Sequence, residues 1–150
     1  MGKTKILDTG WKNYLRNLNK LKNSSVEIGF FGNDSTPKGE SITEYAAYNE
    51  YGTKNIPSRP FMMITHNQKL NANRKMINKR MDSILYGRTN ANILVNKIGL
   101  ANVGFIQGTI TTLRTPANKA STIKAKGGKT NPLINTGTMR KAVTYEVKNV

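Results

Sequence analysis

The side chains with chemical potential in this chain fall into two clusters. In the first, an acid, an arginine and an aromatic stand in the order Glu50, Arg59-Pro60-Phe61; in the second, Arg114, Lys119, Lys124, Lys126 and Lys129 follow one another in a stretch without an acid. A guanidinium is a planar fork that holds a carboxylate through two parallel hydrogen bonds, which makes Glu50 the expected partner of Arg59. Two readings of that cluster stand side by side. One is a clamp between subunits, with Phe61 buried in a neighbour or in the sheet; the other is a helix N-terminus that packs on its own domain. The lysines have the chemistry for phosphate or for an acidic protein surface, and non-specific phosphate contacts would be steeply salt-dependent. No aromatic residue is interleaved among them, so base stacking in the manner of single-strand binders is not supported. A segment that orders only against a partner protein is the competing reading.

Catalytic chemistry finds little to work with. There is no cysteine, so disulfides, thiolate metal sites and cysteine nucleophiles are excluded, and the one histidine, His66, stands beside Asn67 and Gln68 with no second His and few carboxylates nearby in sequence. Gly127-Gly128-Lys129-Thr130 is too short a fragment to make a phosphate-binding glycine loop. The expectation is therefore no catalytic, cofactor or metal site, and not an enzyme.

A chain of 150 residues is expected to form a single domain, 1–150, with one core. Its 24 basic and 8 acidic residues give a net charge of +16, and a domain this basic usually faces phosphate or another acidic surface. Codon bias toward Lys and Asn on a solvated face is the bland alternative, and scarcity of Glu argues against it. No uninterrupted apolar run approaches the roughly 18 to 20 residues of a membrane span, and the N-terminal residues lack an apolar signal core. Met1-Gly2 does not open an acylation motif, because position six is Ile. These features lead to the expectation of a soluble intracellular chain without membrane contact.

The elements that must position the two clusters can be traced along the chain. Trp11, Leu15, Leu18 and Leu21 lie on one face of a helix beginning near Asp8 or Thr9. Val26, Ile28 and Phe30 alternate with Glu27, Gly29 and Phe31 as a strand, and 32–39 is rich in turn residues. Ser41 and Glu44 fit a capping box for a short helix that Gly52 stops. Its tyrosines, Tyr45, Tyr48 and Tyr51, suit core or interface packing. Ile56 to Phe61 is held extended before each proline, with Pro57 as a structural turn and Ser58 as cap of a helix from about Arg59 to Leu85. Met63, Leu70, Ile77 and Ile84 recur every seven residues along that helix, which packs on a sheet or a neighbouring subunit. A second long helix spans about Asn90 to Leu113; Gly99, Gly104 and Gly108 weaken it or allow close approach. The basic segment 114–130 is expected as a long loop. Gly137 marks a turn before a last strand in which Val143, Tyr145 and Val147 alternate with polar residues, pairing with the strand at Val26. The expected fold is α+β, a small antiparallel sheet packed by an N-terminal helix and two longer helices, with long extended loops.

Three ordered blocks carry a resemblance. Tyr45-Ala46-Ala47-Tyr48-Asn49-Glu50-Tyr51-Gly52-Thr53 followed by Ile56-Pro57-Ser58-Arg59-Pro60-Phe61 is similar to the "A-x-x-N-E-F-G-T … I-P-x-R-P-F" signature of phage neck and tail-completion proteins related to minor tail protein Z. Val26 to Phe31 resembles the "V-x-V-G-F" strand of that family, and Pro132 to Arg140 its "P-L-I-D-T-G-x-L/M" turn. Tyr51 replaces the usual Phe and Asn135 the usual Asp, which removes a charge from that turn. The resemblance implies a virion structural protein, assembled in the host cytoplasm into a homo-oligomeric ring at the head-tail junction. Such a ring joins the head-closure and connector proteins to the tail terminator or tail tube and lines the DNA channel. It places Glu50, Arg59, Pro60 and Phe61 at the subunit interface, and Arg114, Lys119, Lys124, Lys126 and Lys129 toward DNA or a partner ring. The alternative, argued from charge, is a small basic nucleic-acid-binding protein acting as a monomer or dimer.

Overall fold

The computed structural model describes residues 9–32, 35, 36 and 39–149, so Asp8 and most of the turn-rich segment at 33–38 lie outside the described residues. Helix α1 (Thr9–Lys22) leads into strand β1 (Ser24–Gly29), and α2 (Ile42–Tyr51) precedes the two long helices α3 (Phe61–Leu85) and α4 (Ala91–Thr112). Short helices α5 (Ala120–Ala125) and α6 (Thr138–Ala142) come before strand β2 (Thr144–Asn149). The two strands form one antiparallel sheet, and the architecture is the α+β arrangement expected.

The register puts Val26 opposite Val147 and Ile28 opposite Tyr145, so the apolar members of both alternating patterns share one face. The same register sets Glu27 directly against Glu146, a repulsive pair. Lys148 relieves it: its Nζ lies 2.6 Å from Glu27 Oε2, and that hydrogen bond, with the fields of Glu27 and Glu146, raises the lysine above its ordinary value.

Helix α4 is the organiser, touching both strands as well as α1, α3 and α6. It starts where Asn90 Oδ1 accepts from the Ile93 N–H at 2.9 Å. Gly99 is required in it because the Tyr145 ring of β2 occupies the space a Cβ would need. Among the described residues α4 is also the one helix long and apolar enough by composition to cross a membrane, although Lys97 and its asparagines interrupt the apolar run. In the fold it serves as the sheet-covering helix. Its seam with α3 is partly polar: Thr65 donates to Thr109 at 2.6 Å, and Asn73 and Asn102 exchange amide hydrogen bonds of 2.9 and 3.1 Å.

The core gathers Ile42 and Ala46 of α2, Phe61 of α3, Ile106 and Ile110 of α4, and Leu133, Met139 and Val143 from the C-terminal third. The seven-residue stripe of α3 is only partly inside. Ile84 is fully buried, but Met63 is 58% and Leu70 36% exposed, because α3 turns Phe61 and Thr65 inward instead.

Segment 114–130 is not the structureless loop expected, since it contains α5. That helix is closed by a Schellman motif in which Gly128 N–H donates to Ile123 O and Gly127 N–H to Lys124 O, at 2.9 and 3.0 Å. Both glycines have positive φ, 63° and 85°, so the pair is a helix stop.

Candidate functional site

The signature stretch folds into an elbow between α2 and α3. Gly52 leaves α2 at φ 80°, and a Cβ there would stand 2.8 Å from the Ser58 nitrogen, so only glycine lets the chain double back on itself. The reversal is held by Thr53, whose N–H donates to Ile56 O at 2.8 Å while its Oγ1 accepts from Asn55 and Ile56. Ser41 Oγ accepts from Glu44 N–H at the other end of α2, one half of the capping box expected there.

Glu50 does not pair with Arg59. Its carboxylate accepts from the N–H groups of Met62 and Met63, at 2.9 and 3.0 Å, and so caps the N-terminus of α3. The free amides and positive dipole end of a 25-residue helix satisfy a buried acid without help from a cation. Ser58 is not the cap either; it donates to Glu50 O at 2.8 Å, and Pro60 occupies the cap position without a side-chain bond.

Arg59 points the other way, into the segment after α4. Its Nε donates to Pro116 O at 2.7 Å, and one terminal nitrogen donates to Ala117 O and Asn118 Oδ1 at 3.2 and 3.1 Å. Asn49 Oδ1 takes a longer bond of 3.4 Å, and Asn49 is itself fixed by donating to Tyr45 O. Burial lowers the guanidinium below its ordinary value, and the Tyr45 hydroxyl opposes that. With Phe61 at 0%, Arg59 at 3% and Glu50 at 7% exposure, the three are packed within one copy of the chain and offer no exposed surface for a neighbouring subunit to pack on; Pro60 is half-buried. The clamp is intramolecular.

A cleft of about 310 Å³ opens beside this clamp, lined by Tyr45, Asn55, Arg59, Asn118, Lys119 and Lys126 among others. Lys126 is half-buried and donates to Asn131 O at 2.7 Å and to Pro132 O at 3.5 Å. Burial, then Arg59 and Lys129, lower it from its ordinary value. Lys129 donates to Asn135 O, and Arg114 folds back on Thr111 O and Leu113 O. Of the five expected loop cations, the cleft collects Lys119 and Lys126, while Lys124, Lys129 and Arg114 stand exposed.

Gly137 takes the left-handed turn expected of it, at φ 83°. Pro57 lies exposed on the elbow. His66 is exposed on α3, beside a shallow cleft shared with Met62 and Asn102. Sequence reasoning missed the asparagines that tie the site together. Asn131 accepts from Leu133 and Ile134 N–H and donates to Ile110 O and Thr111 O, riveting the C-terminal turn to the end of α4. An Asn two residues before Leu133 is a recognisable Asx-turn signal, but its second role as donor has no trace in local sequence. Comparison with models of known families, with curated proteins and with solved structures finds no match.

Proposed function

We propose that this chain is a virion structural protein forming a ring at the head-tail junction of a tailed phage, where it joins the head-closure region to the tail around the DNA channel. The observation that carries this reading is the convergence of the three blocks on one core. Phe30 of the first lies edge-on to Phe61 of the second at 6.2 Å, and Leu133 and Met139 of the third pack in the same cluster. A shared scaffold would hold the three blocks together in this way. The subunit contacts then belong to exposed apolar side chains rather than to the buried elbow. Met63 and Leu70 on α3, Ile93 and Leu100 on α4, and Trp11 and Leu15 on α1 are such residues, and a closed ring needs two different patches.

Native mass spectrometry and negative-stain imaging of the purified chain, alone and with purified phage heads and tails, test the reading. Closed rings, or occupancy of the neck, support it; a chain that stays monomeric and joins neither particle sinks it. The net charge of +16 favours one rival, a basic nucleic-acid binder acting alone. Tight gel-shift binding by the monomer at physiological salt would favour that rival, whereas weak and salt-sensitive binding fits the ring.

A further inference from the structure

We propose that the cleft between the elbow and segment 117–126 is a binding site for a carboxylate side chain on an acidic segment of a partner protein. The site belongs to a single copy of the chain, so it stands whether or not the ring reading holds. Three features point to an anionic occupant. Arg59 is 3% exposed yet meets only neutral oxygens, those of Asn49, Pro116, Ala117 and Asn118. Lys126, on the same cleft, is likewise held by backbone carbonyls, so two cations share a half-enclosed space in which no lining residue is an acid. Finally, Asn118 Nδ2 is buried without an acceptor. Because Oδ1 is committed to Arg59, the amide cannot be turned to hide its donor, and this unmatched N–H adds to the positive character of the residues lining the cleft.

The chemistry of the occupant follows from the space and the charge. A cleft of about 310 Å³ admits a side chain from an extended segment, while duplex phosphates, fixed on a stiff rod, are poorly placed to enter beside the buried Arg59. A second copy, with eight acids against 24 basic residues, is a poor donor, and two of those acids are already engaged, Glu50 as the cap of α3 and Glu27 with Lys148. Glu40 lines the adjoining cleft of about 320 Å³, so the acidic segment approaches over the Lys119 side.

The test uses the full chain and fluorescent hexaglutamate as probe, followed by anisotropy. Lys126→Gln and Lys119→Gln are each expected to weaken binding about tenfold, equivalent to about 1.4 kcal/mol, while Lys75→Gln on the exposed face of α3 changes it less than twofold. Among the described residues the Lys119 side chain makes no hydrogen bond that its loss would break, so its variant remains informative if Lys126→Gln folds poorly. The side-chain amide resonance of Asn118 should shift on saturation. Equal weakening in all three variants, or an unmoved Asn118 amide, would overturn the site. So would displacement of the probe by a 12-base-pair DNA duplex with the same dependence on Lys119 and Lys126, which would reassign it to phosphate. Native mass of the same samples reports assembly separately.

Discussion

At the residue scale, Glu50 and Lys126 show how a charge is used once it leaves water. The Glu50 carboxylate makes two bonds to the first amides of α3, each of the charge-assisted kind. Glu50→Gln is expected to cost about 1–2 kcal/mol and Glu50→Ala about 3 kcal/mol in urea unfolding, because the alanine leaves both amides bare. A salt-bridge role with Arg59 would instead make Glu50→Ala and Arg59→Ala fully coupled in a double-mutant cycle; independent effects are expected. Lys126 gives a pH signature. Its folded value lies below the ordinary 10.5, so its protonated form costs stability, and that cost lifts as pH rises from the lowered value to 10.5. Over that window the ligand-free native chain should gain stability relative to Lys126→Met, and parallel pH profiles for the two would contradict this.

At the element scale, the glycines of α4 are separated by what faces them. Gly99 meets the Tyr145 ring, whereas Gly104 and Gly108 face open space. Gly104→Ala should therefore stabilise by about 0.5–1 kcal/mol through helix propensity. Gly99→Ala should destabilise by about 1–3 kcal/mol through overpacking, and thermal melts of the two must move in opposite directions. The existence of the longer helices was legible: α4 was expected over Asn90 to Leu113 and runs Ala91–Thr112, its caps being the two outer residues. The period of α3 was also legible, but not its buried face. Met63 and Ile84 share a stripe and differ completely in exposure, since seven-residue spacing says nothing about where the partner helix ends. Helix α5 escaped notice because lysines and small residues mark a loop by composition, while the stop signal at Gly127-Gly128 is a matter of φ.

At the scale of the whole molecule, the elbow and the C-terminal turn meet in one core around Phe61. Phe61→Ala should lose about 3–5 kcal/mol and unfold the monomer, as a core residue must. Met63→Ser and Leu100→Ser should leave the unfolding midpoint within about 0.5 kcal/mol, since both side chains are already mostly in water at 58% and 66% exposure. If either serine variant melts as early as Phe61→Ala, the division between core and contact surface is wrong. By itself the sequence determined the longer helices, the strand pairing, the glycine stop at Gly52 and the absence of cysteine chemistry, all of which follow from local period, backbone sterics or composition. Tertiary structure alone decided the partners of Glu50 and Arg59. Both carry charges that many groups satisfy, and the choice fell to whichever helix end and carbonyls the packing of Phe61 brought within about 3 Å.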